Sequence, residues 1–287
     1  MSEDGRNVVL QRYESTFSAP EYATEIWFNE NASLWRTGCA LDVETTGRHT
    51  DRDKVIEIGI RVFRFHRETG EVLAWGEGYS ALEDPGEPLL PEIVRITGIT
   101  DDQVRGKAID WDRVRDLLQA SAIVLAHNAA FDRPFLDRYV SVSQSKIWGC
   151  SFRQVNWAEK GFPSQKLEVL AIYHGFFNVA HRALADADAL LHLLHMPDPA
   201  LGTPYLKELL ENARRPMCVV WALQSPIETK GVLRDRGYRW NTQQRVWSKL
   251  VYVNESDAEV QWLTDAVYDG SFCGRVEPLA LHDGFKR

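Results

Sequence analysis

Apolar residues are concentrated, partly in alternation with polar ones, in three segments at residues 37–44, 54–65 and 71–82. This pattern predicts β-strands, in which successive side chains point to opposite faces of a sheet. A turn at Gly47 follows the first segment, and a turn at Gly70 separates the second from the third. Successive strands with such links favour an antiparallel meander.

Beyond residue 90 the apolar residues recur every three or four positions, which is the spacing of amphipathic helices. After two short helical segments, longer helices are predicted at residues 110–120, 132–140, 166–176 and 183–195. Short apolar runs at 122–126 and 147–152 predict strands between them. This order predicts a mixed α/β (α+β) domain at residues 37–196, with a mixed central sheet flanked by helices. Residues 1–36 are predicted to be an N-terminal extension that packs on this core.

Prolines mark the end of the main domain, because three of them between residues 197 and 204 cannot continue a helix. We predict a linker at residues 197–204 and a small C-terminal α+β domain at residues 205–287. Its predicted helices and strands cover residues 205–214, 218–223, 227–237, 245–253 and 256–268. Ser256 and Glu259 have the spacing of a helix capping box.

Composition limits the environment of the protein more than its fold. The hydrophobic content of 44% and the charged content of 26% are ordinary, and the net charge of −8 argues against a general coat of nucleic acid or membrane. Four widely spaced cysteines without a CxxC pair favour reduced thiols over disulfides or a zinc site. Neither a signal peptide nor a membrane-spanning stretch is evident, which predicts a cytoplasmic protein without a membrane partner.

Two carboxylates at the end of the first predicted strand carry the first chemical signal. Asp42 and Glu44 point to the same face of the strand, while Leu41 and Val43 point to the other. Adjacent carboxylates repel each other, and hard divalent cations prefer oxygen ligands. A solvated acidic face is the simpler interpretation, but it leaves Asp42 as an unexplained charge in a run suited to burial. We therefore predict a metal site.

Three further residues match the requirements of that site. Asp132 lies at the start of a helix after a predicted buried strand, and His181 precedes a helix whose first turn carries Asp186. Singly, each has an ordinary explanation as a helix N-terminal acid or a solvated loop histidine. Together, four carboxylates and one histidine can serve two divalent ions and a general base. Asp188 is excluded because it points about 200° around the helix from Asp186.

The order and spacing of these residues resemble a known family. The three segments are Asp-Val-Glu-Thr-Thr-Gly at 42–47, His-Asn-Ala-Ala-Phe-Asp at 127–132, and His181 with Asp186 five residues later. They closely resemble the DEDDh 3′–5′ exonucleases, and most of all the proofreading epsilon subunit of bacterial DNA polymerase III. Arg182 occupies the position where another branch of the family carries tyrosine. The resemblance covers residues 37–196 and implies a ribonuclease H-like exonuclease fold.

The resemblance also implies a role for each site residue. Asp42 would contact both of two Mg²⁺ or Mn²⁺ ions, with Glu44 and Asp186 completing the first site and Asp132 serving the second. Two such ions stabilise the attacking and leaving oxygens of a phosphodiester displacement. His181 would deprotonate the attacking water, since an ordinary histidine pKa of about 6.5 suits this task near neutrality. The product would be a nucleoside 5′-monophosphate, released from the 3′ end of single-stranded DNA.

Substrate contacts are implied at five further positions. The backbone near Thr45 and Thr46 would contact the terminal sugar. Thr97, Ile99 and Phe131 would contact the last base by shape and stacking rather than by sequence readout.

Two alternatives remain open at this stage. One is an RNA 3′-end exonuclease of the ribonuclease T or oligoribonuclease type, because the site residues do not separate ribose from deoxyribose. The other is a nucleic-acid-binding module with an unused site. The complete set of five residues argues against the second alternative.

The C-terminal domain differs in character from the clamp-binding and polymerase-binding tail of the epsilon subunit, which disfavours replicative proofreading. Between residues 214 and 253, eight basic and two acidic residues give a net charge of +6, with Tyr238, Trp240 and Trp247 among them. Basic residues interleaved with aromatic ones are typical of nucleic-acid binding. The same tryptophans could instead form the core of a small domain. The domain is therefore expected either to bind nucleic acid or to dock a partner.

Overall fold

A computed structural model describes residues 10–13, 33–178, 181–242 and 244–286. Backbone contacts divide the chain into two units, Met1–Ala213 with Phe285–Arg287, and Arg214–Gly284. Most of the predicted extension at residues 1–36 lies outside the described residues.

The first unit contains most of the predicted strands and helices. Its strands are β1 (Gln11–Arg12), β2 (Trp35–Thr45), β3 (Val55–His66), β4 (Val72–Leu82), β5 (Ile123–Ala126), β6 (Ile147–Cys150) and β7 (Phe176–Phe177). Its helices are α1 (Pro91–Thr97), α2 (Asp101–Val104), α3 (Trp111–Ala120), α4 (Ala129–Tyr139), α5 (Ser151–Gln154), α6 (Leu167–Tyr173), α7 (Ala183–His195) and α8 (Tyr205–Arg214).

The main sheet has the strand order β4-β3-β2-β5-β6. Strands β2, β3 and β4 pair antiparallel, as the predicted meander requires, whereas β5 and β6 run parallel to β2. Strand β2 therefore lies at the centre of a mixed sheet. The two-residue strands β1 and β7 form a separate parallel pair that the sequence pattern did not indicate, because residue 176 was assigned to a helix.

Two hydrophobic clusters cover opposite faces of this sheet. Leu41 and Val43 pack in a cluster with residues of α3 and α4. Ala40, on the opposite face, packs in a cluster with buried residues of α7 and α8. The face that carries Asp42 and Glu44 is thus also covered by helices, and the simple interpretation of a solvated acidic face does not hold.

Helix α8, apart from its last residue Arg214, belongs to the first unit, whereas the sequence placed residues 205–214 in the C-terminal domain. Its apolar residues Tyr205, Leu206, Leu209 and Leu210 are all buried in the core cluster shared with α7. The prolines at 197–204 therefore form a turn within the first unit, closed by a bridge between Pro197 and Pro204. Backbone contacts place the boundary between the units at Arg214.

The second unit has its own sheet and core. It contains β8 (Met217–Ala222), α9 (Lys230–Asp235), β9 (Arg239–Asn241), β10 (Val246–Tyr252), α10 (Ser256–Ala266) and β11 (Arg275–Leu279). The strands pair antiparallel in the order β11-β8-β10-β9. Residues from β8, β10, α9 and α10 form one hydrophobic cluster.

The predicted capping box at the start of α10 is wrong. Glu255 occupies the N-cap position, and no side chain caps the helix. Ser256 donates instead to the carbonyl oxygen of Val253. Glu259 is buried, and its carboxylate accepts hydrogen bonds from Arg236 and Lys249, at 3.2 and 2.8 Å. Tertiary ion pairing, which the local spacing cannot show, therefore determines the position of Glu259.

Among the described residues, no helix is both long enough and apolar enough to cross a membrane.

Candidate active site

A cavity of about 470 Å³ opens in the first unit where β2 ends. It collects side chains from five helices and strands that are far apart in sequence. Its lining residues are Asp42, Val43, Glu44, His127, Asn128, Phe131, Asp132, Phe152, Lys166, Leu167, Glu168, Asn178, His181 and Asp186. All five residues predicted to be catalytic are in this set.

Three carboxylates form the centre of the cavity. Each of Asp42, Glu44 and Asp186 offers one oxygen such that all three oxygens lie within 4.8 Å of one another. Asp132 lies next to this cluster, and its Oδ1 accepts a hydrogen bond from the backbone N–H of Val43 at 3.3 Å. A converging set of hard oxygen donors suits Mg²⁺ or Mn²⁺ and does not suit a soft thiolate-binding metal.

The four carboxyl groups have raised pKa values, because they are buried and lie close to one another. Burial, together with repulsion from Asp132, Asp186 and Glu44, raises the pKa of Asp42 well above its ordinary value. Burial and the charge of Asp186 raise the pKa of Glu44 to about 8. Burial is also the main reason that the pKa of Asp132 rises to about 7, and it raises the pKa of Asp186. Bound cations would neutralise this charge and keep the carboxylates ionised.

The close packing of α7 on β3 brings Asp186 to Asp42. Gly59 of β3 is the cross-strand partner of Asp42. A Cβ atom on Gly59 would lie 2.0 Å from the backbone nitrogen of Leu184, so no larger residue fits there. Ala183 and Ala187 are also fully buried, and their small side chains allow this close approach of the helix. The sequence feature that indicates this close packing is Gly59, a lone glycine inside an apolar strand.

Both oxygens of the Asp186 carboxylate are held in place. Asn178 Nδ2 donates to Oδ1 at 2.7 Å, and the backbone N–H of His181 donates to Oδ2 at 2.8 Å. His181 has a positive φ of 64°, in the left-handed region that few residues other than glycine and asparagine adopt readily. The hydrogen bond to Asp186 therefore links the position of the predicted base to that of a predicted metal ligand.

Glu57, on strand β3, holds the loop before α7 that contains His181 and Arg182. It is 1% exposed and lies on β3 directly opposite Glu44. One of its oxygens accepts from the Arg182 guanidinium at 3.0 Å, and the other accepts from the backbone N–H of Ala183 at 3.1 Å. The Arg182 cation offsets a small part of the rise in the pKa of Glu44 that burial and Asp186 cause. Glu57 and Arg182 thus position the segment that carries His181.

Aromatic rings and a second histidine form another wall of the cavity. Phe131 packs at 5.2 Å from Phe135, and Phe152 lies edge-on to His127 at 5.8 Å. His127 Nε2 donates to the carbonyl oxygen of Gln165, so its Nδ1 accepts from the Ser151 hydroxyl. Burial lowers the pKa of His127 to about 4. Because both ring nitrogens are occupied, His127 fits a structural role rather than that of a base.

Four of the five residues predicted to contact substrate do not line the cavity. Ile99 is 2% exposed and packs with Ile56, Leu89 and Val104. Thr97 is buried, and its hydroxyl donates to the carbonyl oxygen of Ile93 and accepts from the N–H of Ile99. The side chains of these two residues face the interior of the unit, so the sequence-based expectation of direct base contact does not match their positions.

The other two residues of this group lie where β2 ends, because Thr45 is the last residue of the strand and Thr46 begins the turn after it. The Thr45 hydroxyl donates to the carbonyl oxygen of Gly47 at 2.6 Å, and the Thr46 hydroxyl accepts from the N–H of Lys54 at 3.0 Å. Both hydroxyls are thus engaged within the protein. The predicted contact through their backbone stays a prediction.

Asp188 lies outside the cavity, as its helical position indicated. Its carboxylate binds Arg61 in a bidentate pair, at 2.6 and 2.9 Å. Sequence reasoning did not identify Glu57, Asn178 or Phe152. A signal existed only for Glu57, as a carboxylate within the apolar run of β3, because the other two residues lie in segments without a distinctive pattern.

The raised carboxyl pKa values predict how metal-free stability depends on pH. A carboxyl group with a higher pKa in the folded state contributes stability at low pH, and this contribution is lost as pH rises towards the folded pKa. For Asp132 and Glu44 the loss extends to about pH 7 and 8. The lowered pKa values of His127 and His192 act in the opposite direction, but only below about pH 6.5.

We therefore expect the metal-free free energy of unfolding to fall between pH 6.5 and 8, by on the order of 1–2 kcal/mol. Urea unfolding in EDTA at several pH values measures this change. Saturating Mg²⁺ provides the control and should flatten the dependence, because bound cations keep the carboxylates ionised in the folded state. A metal-free stability that is constant or increases over this range would contradict the charge cluster.

Comparison with known proteins gives a consistent result. Residues 39–194, more than half of the chain, match the family model described as Exonuclease. The chain is 32% identical over 169 residues to a PolC-type DNA polymerase III of Listeria monocytogenes. The matched region covers 55% of the chain and only 11% of that polymerase. It is 29% identical over 163 residues to the DNA polymerase III subunit epsilon of Treponema pallidum, covering 54% of the chain and 73% of that subunit.

Among solved structures, the chain is similar to the zinc-bound form of E. coli ExoI in complex with single-stranded DNA. The TM-score is 0.53 at 19% sequence identity, over 77% of this chain and 63% of that one. This similarity concerns the fold, and it confirms the predicted mixed α/β, ribonuclease H-like architecture.

Proposed function

Because the chain belongs to the exonuclease family through residues 39–194, as its sequence motifs indicated, we propose that it is a metal-dependent 3′–5′ exonuclease acting on single-stranded DNA. The observation that carries the proposal is the convergence of Asp42, Glu44, Asp132, His181 and Asp186 on one cavity. These residues come from β2, α4, α7 and the loop before α7, so their meeting is a property of the tertiary fold. An unused site would have no need to keep the full set.

In this proposal the carboxylates would hold two divalent ions, Mg²⁺ or Mn²⁺. Asp42 would contribute to both, Glu44 and Asp186 would complete one site, and Asp132 would serve the other. Such ions supply electrostatic stabilisation of the charge that develops on the phosphate oxygens. His181 accepts the proton of the attacking water, and the leaving 3′ oxygen remains with the shortened strand. The released product is a nucleoside 5′-monophosphate.

The walls of the cavity support an unpaired end as the substrate. Phe131 and Phe152 present partly exposed rings on one side, and rings of this kind stack on bases without regard to sequence. A base inside a duplex is covered on both faces by its neighbours, so an unpaired strand offers more base surface to such rings. The single-stranded DNA in the complex with E. coli ExoI is of the same substrate class.

We also propose a cytoplasmic location and a nucleic-acid partner. All four cysteines are free, and Cys39, Cys150 and Cys218 are buried, which suits a reducing compartment.

The experiment that tests this function compares single-stranded DNA and RNA of equal sequence. With a 5′ label and Mg²⁺ or Mn²⁺, DNA should yield a ladder of products shortened from the 3′ end, and EDTA should stop the reaction. Circular single-stranded DNA is the matched control, because it has no end and should stay intact. Faster degradation of RNA would indicate the RNA-directed alternative. If neither substrate is degraded, the site is unused and the proposal fails.

A further inference from the structure

We propose that the second unit binds single-stranded nucleic acid on the hairpin surface, which we define as Lys230, Arg234, Arg239, Trp240 and Arg245. The inference rests on the proposed function, because the strand bound there is the substrate of the same enzyme. It assigns a binding role to a part of the chain that lies outside the exonuclease match at residues 39–194.

Trp240 is the aromatic centre of the hairpin surface. Of the three aromatic residues that the sequence singled out, Tyr238 is 2% exposed and Trp247 is partly buried against the core of the unit. Trp240 is 48% exposed. Its ring meets Trp247 edge to face, with centroids 5.6 Å apart, and the two residues pair across β9 and β10. This contact holds the indole at low entropic cost while leaving much of it open to stack on a base.

Seven of the nine basic residues of the unit fall into two groups. Arg215 pairs with Glu255, whereas Arg236 and Lys249 share the buried carboxylate of Glu259. These cations stabilise the unit itself.

The second group consists of the four cations of the hairpin surface, namely Lys230, Arg234, Arg239 and Arg245. All four are exposed, and within the described part of the chain none of them forms an ion pair. Their charges are therefore available to phosphate groups.

These residues lie within one short segment of the chain, residues 230–245. Lys230 and Arg234 lie one turn apart on α9, and α9 ends in a turn at Gly237 that leads into β9. Arg239 precedes Trp240 in β9 and points to the opposite face of this edge strand, and Arg245 lies in the turn between β9 and β10. A continuous helix–turn–hairpin thus places four cations and one open indole in and around the edge strand β9.

Charge in the unit is distributed unevenly along the chain. Residues 214–253 carry the net charge of +6, whereas residues 254–284 contain one basic and seven acidic residues. The unit as a whole is therefore neutral, and any attraction for phosphate must be local. The position of the unpaired cations around Trp240 meets this condition.

A peptide strand added to the open edge of β9 fits this surface less well. Strand β9 has only three residues, which provides few backbone hydrogen bonds for a partner strand. A short edge that carries cationic side chains is a common way of preventing such pairing. Charge complementarity favours a phosphate backbone, and the exposed indole favours unpaired bases.

The test measures binding of a labelled oligothymidylate of about 20 nucleotides to the full-length protein. Asp42→Ala is present throughout so that the strand is not degraded. We expect Trp240→Ala to raise Kd about 5- to 100-fold, which corresponds to the loss of one stacked base. We expect Trp240→Phe, which keeps a ring, to recover most of the affinity. This pattern distinguishes stacking from a folding defect, and thermal unfolding of each variant checks the fold.

Charge is tested by replacing Arg239 and Arg245 together with glutamine. Two lost phosphate contacts should lower the slope of log affinity against log salt by about 1.4. Arg275→Gln is the matched control, because Arg275 lies on β11, at the opposite edge of the same sheet, where it pairs with Glu277. That control should leave both affinity and slope unchanged.

Unchanged affinity and salt slope in the Trp240→Ala and double arginine variants would overturn the inference and leave the surface to a protein partner. Cleavage of a dinucleotide by the wild-type protein is measured in parallel. Its absence would contradict the proposed function alone, because the binding titration does not depend on catalysis.

Discussion

Asp42→Ala is expected to abolish exonuclease activity, with kcat/KM reduced about a thousandfold or more. Asp42 lies at the centre of the carboxylate cluster, within reach of Glu44 and Asp186 and next to Asp132. Its loss removes the ligand that both proposed cations share, and such cations contribute several kcal/mol of transition-state stabilisation. Single-turnover cleavage of 5′-labelled single-stranded DNA in Mg²⁺ measures the effect.

The same substitution should separate loss of metal binding from loss of structure. In the wild type, the melting temperature should rise with Mg²⁺ or Mn²⁺, because the cations bind only the folded protein. In Asp42→Ala this rise should be absent. The metal-free variant should melt about 2–4 °C higher than the metal-free wild type, since removing one crowded carboxylate relieves repulsion.

Asp102→Ala is the matched control for this experiment. Asp102 is an exposed carboxylate that pairs with Arg105 and does not line the cavity. Its replacement should change neither the activity nor the thermal response to metal. If the melting temperature of Asp42→Ala responds to metal as the wild type does, Asp42 is not a ligand.

The sequence was informative where the relative direction of two side chains follows from the geometry of a single strand or helix. Asp42 and Glu44 could be placed on one face because strand geometry alone determines this relation. The helical position of Asp188 likewise predicted its exclusion from the cavity. The order of the three motifs then indicated the family. The fold of that family brings Asp132 and Asp186 close to Asp42 and Glu44 on strand β2.

The remaining features depend on contacts between distant residues. The pairing of Glu57 with Arg182 spans 125 residues, and no sequence pattern around either residue indicates its partner. Ile99 is apolar enough either to contact a base or to fill a core, and only the small cluster around Ile56 decides between these roles. Glu259 has the spacing of a capping residue, but two cations from other parts of the unit hold it.

The C-terminal aromatic residues illustrate the same limit. Tyr238, Trp240 and Trp247 lie within ten residues and look equivalent in the sequence. The structure assigns Tyr238 to the core, Trp247 to its border and Trp240 to the surface. Composition alone therefore cannot decide which of these aromatic residues form the core and which lie on the surface. The core interpretation holds for Tyr238, and the binding interpretation stays a proposal for the exposed Trp240.

His181→Gly is expected to lower kcat by about 10²- to 10⁴-fold, which is the usual contribution of a general base. The affinity for a single-stranded 3′ end should change little, because the carboxylate cluster and the aromatic wall stay intact. Glycine is the appropriate replacement since residue 181 has a φ of 64°, which glycine adopts without strain. The backbone N–H that donates to Asp186 is also retained.

Chemical rescue provides the decisive measurement for this residue. The missing imidazole leaves a space beside the cluster, so added imidazole should restore part of the rate in His181→Gly. The restored rate should follow the concentration of the neutral form of imidazole, since only that form can accept a proton. Asp42→Ala is the control and should not respond to imidazole, because it lacks a ligand rather than a base. A nearly normal rate in His181→Gly without imidazole would show that the attacking water loses its proton by another route.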